Sequence, residues 1–280
     1  MSFGGAEVIR VLFRAEVIRV FYPSFIYPTS SQGLYMSMPP FLFLASLLIT
    51  LCALLVALQL NDMPTQAAAR ASNANYKPTY RPVGLFFGGT SGIGQAMAEK
   101  LAAQTAGRAH IIVLGRNQQA AERIISGFPK HNDSLYEFER IDATSMKDVR
   151  RVTRSLLNRL DKANFVITSP GFMTLKGRDE SEDGLDKKLA CHVYARFRFA
   201  LDLVPLLEKA ADAGEAAAFM SVMSAGKEPT SYLNLDDLGL KKEYSLTNAA
   251  AVASHYTDAY IEVRYGSCAH FWGTHCSSRS

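Results

Sequence analysis

Residues 86–95 read FFGGTSGIGQ, directly after Val83-Gly84-Leu85 and directly before the helix-forming run AMAEKLAAQ. A strand, a glycine-rich turn and a helix start therefore share one short unit. Gly88, Gly92 and Gly94 follow the spacing GxxxGxG. Small residues at those positions let the backbone turn sharply and approach a pyrophosphate at the positive end of a helix. Thr90 and Ser91 add hydroxyl donors beside such phosphates, and Ile93 begins the helix. Glycines also serve ordinary strand-to-helix turns, but the flanking strand and helix supply the context that a dinucleotide-binding loop requires.

The second strand would carry the choice of dinucleotide. An acidic residue at its end hydrogen-bonds a ribose 2′-hydroxyl, whereas an arginine accommodates a 2′-phosphate. The chain has Leu114-Gly115-Arg116-Asn117 there and no acid, so Arg116 and Asn117 favour NADP(H) over NAD(H).

The elements that must position these residues are legible from periodicity. Strands are expected over 83–87, 110–114, 135–141, 164–168 and 216–223, and helices over 93–104, 118–126, 146–160, 185–207 and 245–263. Val149, Val152, Leu156 and Leu160 recur at helical spacing, and Ser145 with Asp148 resembles a capping box at that helix start. Strict alternation of strand and helix predicts a single α/β domain of Rossmann-like form, a doubly wound parallel sheet.

Composition limits the alternatives. The 280 residues have room for one sizeable domain and an appendage, and the net charge of +4 gives no argument for nucleic-acid binding. Cys52, Cys191, Cys268 and Cys276 form no CxxC pair, so no metal site is expected. Residues 41–58, FLFLASLLITLCALLVAL, run for eighteen positions without a charge and read as a transmembrane helix, with a signal-peptide core or a buried helix as the competing readings. The chain then divides into an N-terminal segment (1–40) carrying a repeated AEVIRV, the anchor (41–58), a linker (59–80) and the dinucleotide-binding domain (81–280). Arg70, Lys77 and Arg81 lie closer to the anchor than the upstream arginines, which favours a single-pass protein with a cytoplasmic domain, on the endoplasmic reticulum in a eukaryote.

GGTSGIG, then LGRN, then Ile141-Asp142-Ala143 after the third strand, resemble the short-chain dehydrogenase/reductase family over about residues 81–260. SEDGLDKKLACHVYARFRFALDLVPLL at 181–207 is similar to the family's retinol-dehydrogenase-like and fungal biosynthetic members. The resemblance implies that Asp142, with Ala143, contacts the adenine ring. It also implies that Thr168-Ser169-Pro170-Gly171 replaces the family's NNAG, placing Ser169 and Gly171 beside the cofactor. Pairing into a homodimer through the helices at 185–207 and 245–263 is a further implication. The family transfers hydride between nicotinamide and a carbonyl or secondary alcohol. A tyrosine acts as acid or base, a serine polarises the carbonyl, and a lysine assists the tyrosine and holds the nicotinamide ribose.

Ser224, in MSVMSAGK, matches the serine. The family's YxxxK is absent, and two alignments compete. One takes Tyr244 as the tyrosine with Asn248 in the lysine's place, and the other sets Ala251 and His255 at the two positions. The helix-borne asparagine of the family is replaced by His192. Without a nearby cation a phenol, with a free pKa of about 10, is a poor base at neutral pH. The family's further strand, Pro-Gly turn and substrate-covering segment find no counterpart in residues 264–280, so the pocket is expected to lack its lid. Two readings follow: a membrane-anchored NADP(H)-dependent oxidoreductase acting on an apolar small molecule, with Ser224 and Tyr244 catalytic, or a catalytically inactive or truncated dinucleotide-binding module.

Overall fold

In the computed structural model, which describes residues 65–223 and 233–261, the apolar runs form five short strands. These are β1 (Val83–Phe87), β2 (His110–Gly115), β3 (Leu135–Arg140), β4 (Phe165–Thr168) and β5 (Ala218–Ser221). The helices are α1 (Gln66–Asn75), α2 (Gly92–Gln104), α3 (Gln118–Ser126), α4 (Met146–Arg159), α5 (Lys187–Leu189), α6 (Ala195–Asp212) and α7 (Leu246–Ile261). A π-helical turn, Ala190–Tyr194, joins α5 to α6. Residues 65–76 belong to one compact unit and the remaining described residues to a second.

The strands pair in parallel in the order β3-β2-β1-β4-β5. Parallel neighbours need a crossover, which is why a helix separates each strand from the next. The chain steps outward from β1 to β3, and α4 then returns it across β1 to β4. Strand order therefore reverses between β1 and β4, and the loops leaving their carboxyl ends diverge to open a crevice. The doubly wound parallel sheet expected from the sequence is the one observed.

Burial follows from this layering. Every residue of β1 and β2 is buried, as a sheet covered on both faces demands. Leu85, Phe87, Ile112, Leu114 and Val166 pack with Val149, Val152 and Leu156 of α4 and with Phe199, Leu203 and Leu206 of α6. The Phe87 and Phe199 rings lie 4.8 Å apart. On the opposite face a Cβ at Gly84 would stand 2.7 Å from Leu101 Cδ2, so glycine lets α2 settle onto β1. Buried Asn164 aligns the strand starts: Oδ1 accepts from Val83 N–H at 2.9 Å, and Nδ2 donates to Glu215 Oε2 and Ala216 O, each at 2.9 Å.

Several boundaries differ from expectation. Residues 66–75, within the predicted linker, form α1 because the alanine-rich QAAARASNAN favours helix and Thr65 Oγ1 caps it, accepting from Ala68 N–H at 3.1 Å. The helix predicted over 185–207 starts at Lys187, is interrupted by the π turn and runs on to Asp212. The last helix begins at Leu246, with Ser245 Oγ accepting from Asn248 N–H at 3.0 Å. Ser145 caps α4 by accepting from Asp148 N–H at 3.2 Å, but the Asp148 carboxylate accepts from Asp142 N–H at 2.7 Å instead of closing a capping box. Among the described residues no helix is long and apolar enough to cross a membrane. The anchor predicted at 41–58, the AEVIRV repeat and residues 264–280 lie outside the described residues.

Candidate functional site

The three loop glycines do different work at the crevice. Gly88 takes φ +88°, donates its N–H to Leu114 O at 2.9 Å, and leaves no room for a Cβ, which would stand 2.7 Å from Pro170 N. A Cβ on Gly94 would meet Gly88 O at 2.6 Å and also strike Ser169 Oγ. Gly92 takes φ +60° with nothing within 4 Å, so it serves the turn itself. Gly88 and Gly94 thus lock the loops after β1 and β4 together, while Ser91, Gly92 and Ile93 remain exposed. Ser91 makes no side-chain cap at the start of α2. An exposed helix N-terminus lacking its own cap, reached by a glycine turn, fits the pyrophosphate of a dinucleotide.

At the end of β2, a Cβ on Gly115 would come within 2.7 Å of Thr90 Cγ2, so Thr90 lies against the strand that carries Arg116. Arg116 is exposed on an open groove of about 680 Å³, lined also by Asn117, Gln118, Gln119 and Glu122. Asn117 caps α3, its Oδ1 accepting from Ala120 N–H at 3.0 Å, which commits that oxygen to the fold. After β3, Asp142 Oδ1 accepts from Thr144 N–H (2.9 Å) and Thr144 Oγ1–H (2.8 Å), and Ala143 is buried.

After β4, Ser169 donates its N–H to Phe87 O at 2.8 Å and its hydroxyl to Phe87 O at 3.3 Å. A Cβ on exposed Gly171 would lie 3.4 Å from His192 Cε1. His192 Nε2 sits 3.3 Å from Phe172 N and 3.1 Å from Phe172 O. Burial, reinforced by the charge of Arg196, holds His192 below its ordinary pKa, so the ring is neutral and braces the loop after β4.

Arg196 is 3% exposed, and sequence reasoning had passed over it. Its Nε donates to Pro170 O at 3.2 Å, Nη2 donates to the same oxygen, and Nη1 donates to Val222 O at 2.5 Å and Ser221 Oγ at 3.3 Å. Burial pulls the guanidinium below its ordinary value, yet an arginine stays charged in a protein. No carboxylate pairs with it among the described residues. The fork therefore clamps the ends of β4 and β5 together through their carbonyls.

Ser224 lies outside the described residues. Met223, next to it in the chain, packs against the cluster of Leu189, Val193, Leu240, Ala249, Val252 and Ala253, and so does Tyr244. Tyr244 precedes the first residue of α7 by two positions, so Asn248 does not stand one helical turn below it. Asn248 Nδ2 instead donates to Glu243 O at 3.1 Å. His255 is half-buried, and its Nε2 has no hydrogen-bond partner among the described residues. The cation beside the phenol comes from α5: Lys188 Nζ donates to Tyr244 Oη at 2.6 Å and stands 5.1 Å from the ring centroid. No periodicity in the sequence links two residues fifty-six positions apart.

The short chain dehydrogenase family model matches residues 83–231, just over half of the chain. The chain belongs to the short-chain dehydrogenase family. An oxidoreductase of Emericella nidulans is 33% identical over 188 residues, covering 67% of this chain and 54% of that protein. Another, from Emericella variicolor, is 30% identical over 213 residues, covering 72% and 61%. A short-chain dehydrogenase from Streptomyces avermitilis shares the fold at 20% identity with a TM-score of 0.51, covering 69% of this chain and 63% of that one. The chain spans between half and two thirds of the length of these two oxidoreductases.

Short-chain dehydrogenases bind a nicotinamide dinucleotide, and the glycine loop, the exposed start of α2 and the divergence of β1 from β4 are the parts of this chain that fit one. Ser169 and His192, the residues that the sequence resemblance sets against the family's asparagines, both brace the backbone. Cys191, 4% exposed within the π turn, has its thiol pushed up to about 11, chiefly by burial. It is therefore expected to resist iodoacetamide at pH 8 in the folded chain and to react after unfolding, as peptide mass spectrometry would show.

Proposed function

We propose that the protein is an NADP(H)-dependent oxidoreductase that interconverts a carbonyl and a secondary alcohol on an apolar small molecule. The observation that carries this reading is the exposed start of α2 at the strand reversal, with Arg116 exposed at the end of the neighbouring strand and no acid beside it. The bound nicotinamide supplies or accepts hydride. The backbone around Gly92 receives the pyrophosphate, and Arg116 meets the 2′-phosphate with a planar fork. Tyr244 gives its phenolic proton to the carbonyl oxygen during reduction, and Ser224 orients that carbonyl by a hydrogen bond. The phenol oxygen already accepts from Lys188, so its own proton is free to point elsewhere. Attachment to a membrane through residues 41–58, with the domain on the cytoplasmic side, and pairing with a second copy belong to the same proposal.

The test is a titration of the purified full chain with NADPH and NADH, followed by nicotinamide fluorescence, and then NADPH consumption across a panel of apolar ketones and aldehydes. Saturable binding that prefers NADPH is expected, with Tyr244→Phe lowering turnover by about a thousandfold. Equal affinity for both nucleotides would remove the NADP(H) assignment. Turnover that persists in Tyr244→Phe would remove the tyrosine from its role. Binding without turnover on any carbonyl would favour the inactive module, the reading that Asn248 in place of lysine supports.

A further inference from the structure

We propose that Lys188 is the positioning residue for the Tyr244 hydroxyl: it delivers from α5 the charge that the family keeps four residues after its tyrosine, and gives up that lysine's hold on the nicotinamide ribose. This rests on the proposed role of Tyr244.

The geometry is specific. An ammonium has three protons to donate. Those of Lys188 go to Tyr244 Oη at 2.6 Å, Lys176 O at 2.9 Å and Gly177 O at 3.3 Å. Nothing is left over for ribose hydroxyls. Two neutral carbonyls therefore seat the ammonium, and the phenol oxygen takes the remaining proton.

Neighbouring cations are committed elsewhere. Lys187 pairs with Asp179 at 2.9 Å, and Arg178 donates to Leu240 O at 3.1 Å and pairs with Glu180. Lys188 has no carboxylate partner among the described ion pairs. Its full charge is thus available to an oxygen that becomes negative as it loses a proton, in a half-buried setting where water screens it less than at the surface.

The start of α5 holds the lysine in place. Asp186, 1% exposed, caps it by accepting from Lys188 N–H at 3.0 Å and Leu189 N–H at 3.1 Å. Leu189 lies in the cluster against which Tyr244 packs. One apolar cluster therefore anchors both partners, Tyr244 by its own ring and Lys188 through its neighbour Leu189.

The experiment reads the phenol directly, with no substrate or nucleotide. The full chain is treated with an arylsulfonyl fluoride, whose sulfur bonds to the phenol oxygen as fluoride leaves and the phenolic proton passes to buffer. Labelling at Tyr244 is followed by peptide mass spectrometry, with Tyr136, which donates to Pro129 O at 2.6 Å, as the internal reference. Lys188→Gln keeps a donor and loses the charge, and it is expected to slow Tyr244 labelling by about tenfold relative to Tyr136. Lys188→Arg restores the charge and is expected to restore most of the rate. NADPH affinity, titrated separately, is expected to stay within about twofold in both variants, since no ribose contact is lost.

Equal Tyr244 labelling in the wild type and Lys188→Gln would overturn the proposal. So would full labelling in Lys188→Gln with none in Lys188→Arg, which would show a purely geometric role. A loss of NADPH binding in Lys188→Gln with Tyr136 labelling unchanged would overturn the separation of charge from ribose. Lys188-dependent labelling in a chain that reduces no carbonyl would uphold the pairing and defeat the oxidoreductase reading instead.

Discussion

Gly94→Ala is expected to weaken nucleotide binding by a hundredfold or more, about 2.7 kcal/mol, and to lower stability by roughly 1–3 kcal/mol. The added methyl would lie 2.6 Å from Gly88 O and would also strike Ser169 Oγ. Neither neighbour can give way cheaply. Gly88 is held at φ +88° with its N–H on Leu114 O, and Ser169 is fixed to Phe87 O through its own N–H. The methyl would therefore push apart the loops after β1 and β4, the two lips of the crevice. Gly92→Ala is the control for stability, because nothing in the chain lies within 4 Å of its Cβ position. Its cost to the fold is the left-handed backbone alone, about 1–2 kcal/mol. A urea midpoint on both variants and a nicotinamide fluorescence titration of Gly94→Ala against the wild type would separate the effects. Undiminished NADPH binding in Gly94→Ala would show that the packing of the two loops does not shape the site.

Arg196→Met is expected to destabilise the domain by about 3 kcal/mol, the range for breaking a buried charged network. Methionine has a similar length and stays apolar, but it leaves Pro170 O and Val222 O without the donors that now join them. Removing a buried charge also removes its desolvation cost, which is why the expected loss is smaller than the sum of its hydrogen bonds. Lysine is not expected to rescue, since an ammonium cannot span two strand ends as the planar fork does. Because Val222 stands two residues before Ser224 and Pro170 one before Gly171, the variant should lose turnover even at temperatures where it remains folded. Urea unfolding with activity measured well below the transition would check this. A midpoint unchanged from wild type would mean that water satisfies those carbonyls.

The fold was readable because its signals are local. Alternating apolar runs and helical repeats gave all five strands within a few residues, and the glycine spacing gave the β1–α2 turn. Gly88 and Gly94 were legible as close-approach positions, although two of the groups they approach, Pro170 and Ser169, belong to the loop after the neighbouring strand β4. Asn117, placed by sequence at the cofactor, also caps α3 through its side-chain oxygen, a role that the motif does not announce. Lys188 and Arg196 were missed for a physical reason. Each acts through a partner from a distant segment, and on a helix a lysine or arginine otherwise reads as a solvated charge. A lysine four residues after Tyr244, at Asn248, would stand one helical turn from the phenol only if the tyrosine were itself on the helix. Here it lies just before it.

The π turn at Ala190–Tyr194 sets the phase between those two cations. In ideal geometry each residue advances a helix by about 100°, and a π turn accommodates one extra residue without extending the α-helical count. Lys188 and Arg196 are eight positions apart in the chain but about seven in phase, which brings them to within roughly 20° of one face instead of about 80° apart. A lineage that lost a single residue between positions 190 and 194 would gain a more regular helix and keep this phase, since seven α-helical steps also come to within roughly 20°. Winding the turn into α-helix with every residue kept would instead swing Lys188 away from the strand ends that Arg196 clamps. The extra residue is thus tolerated only as long as the wide turn absorbs it.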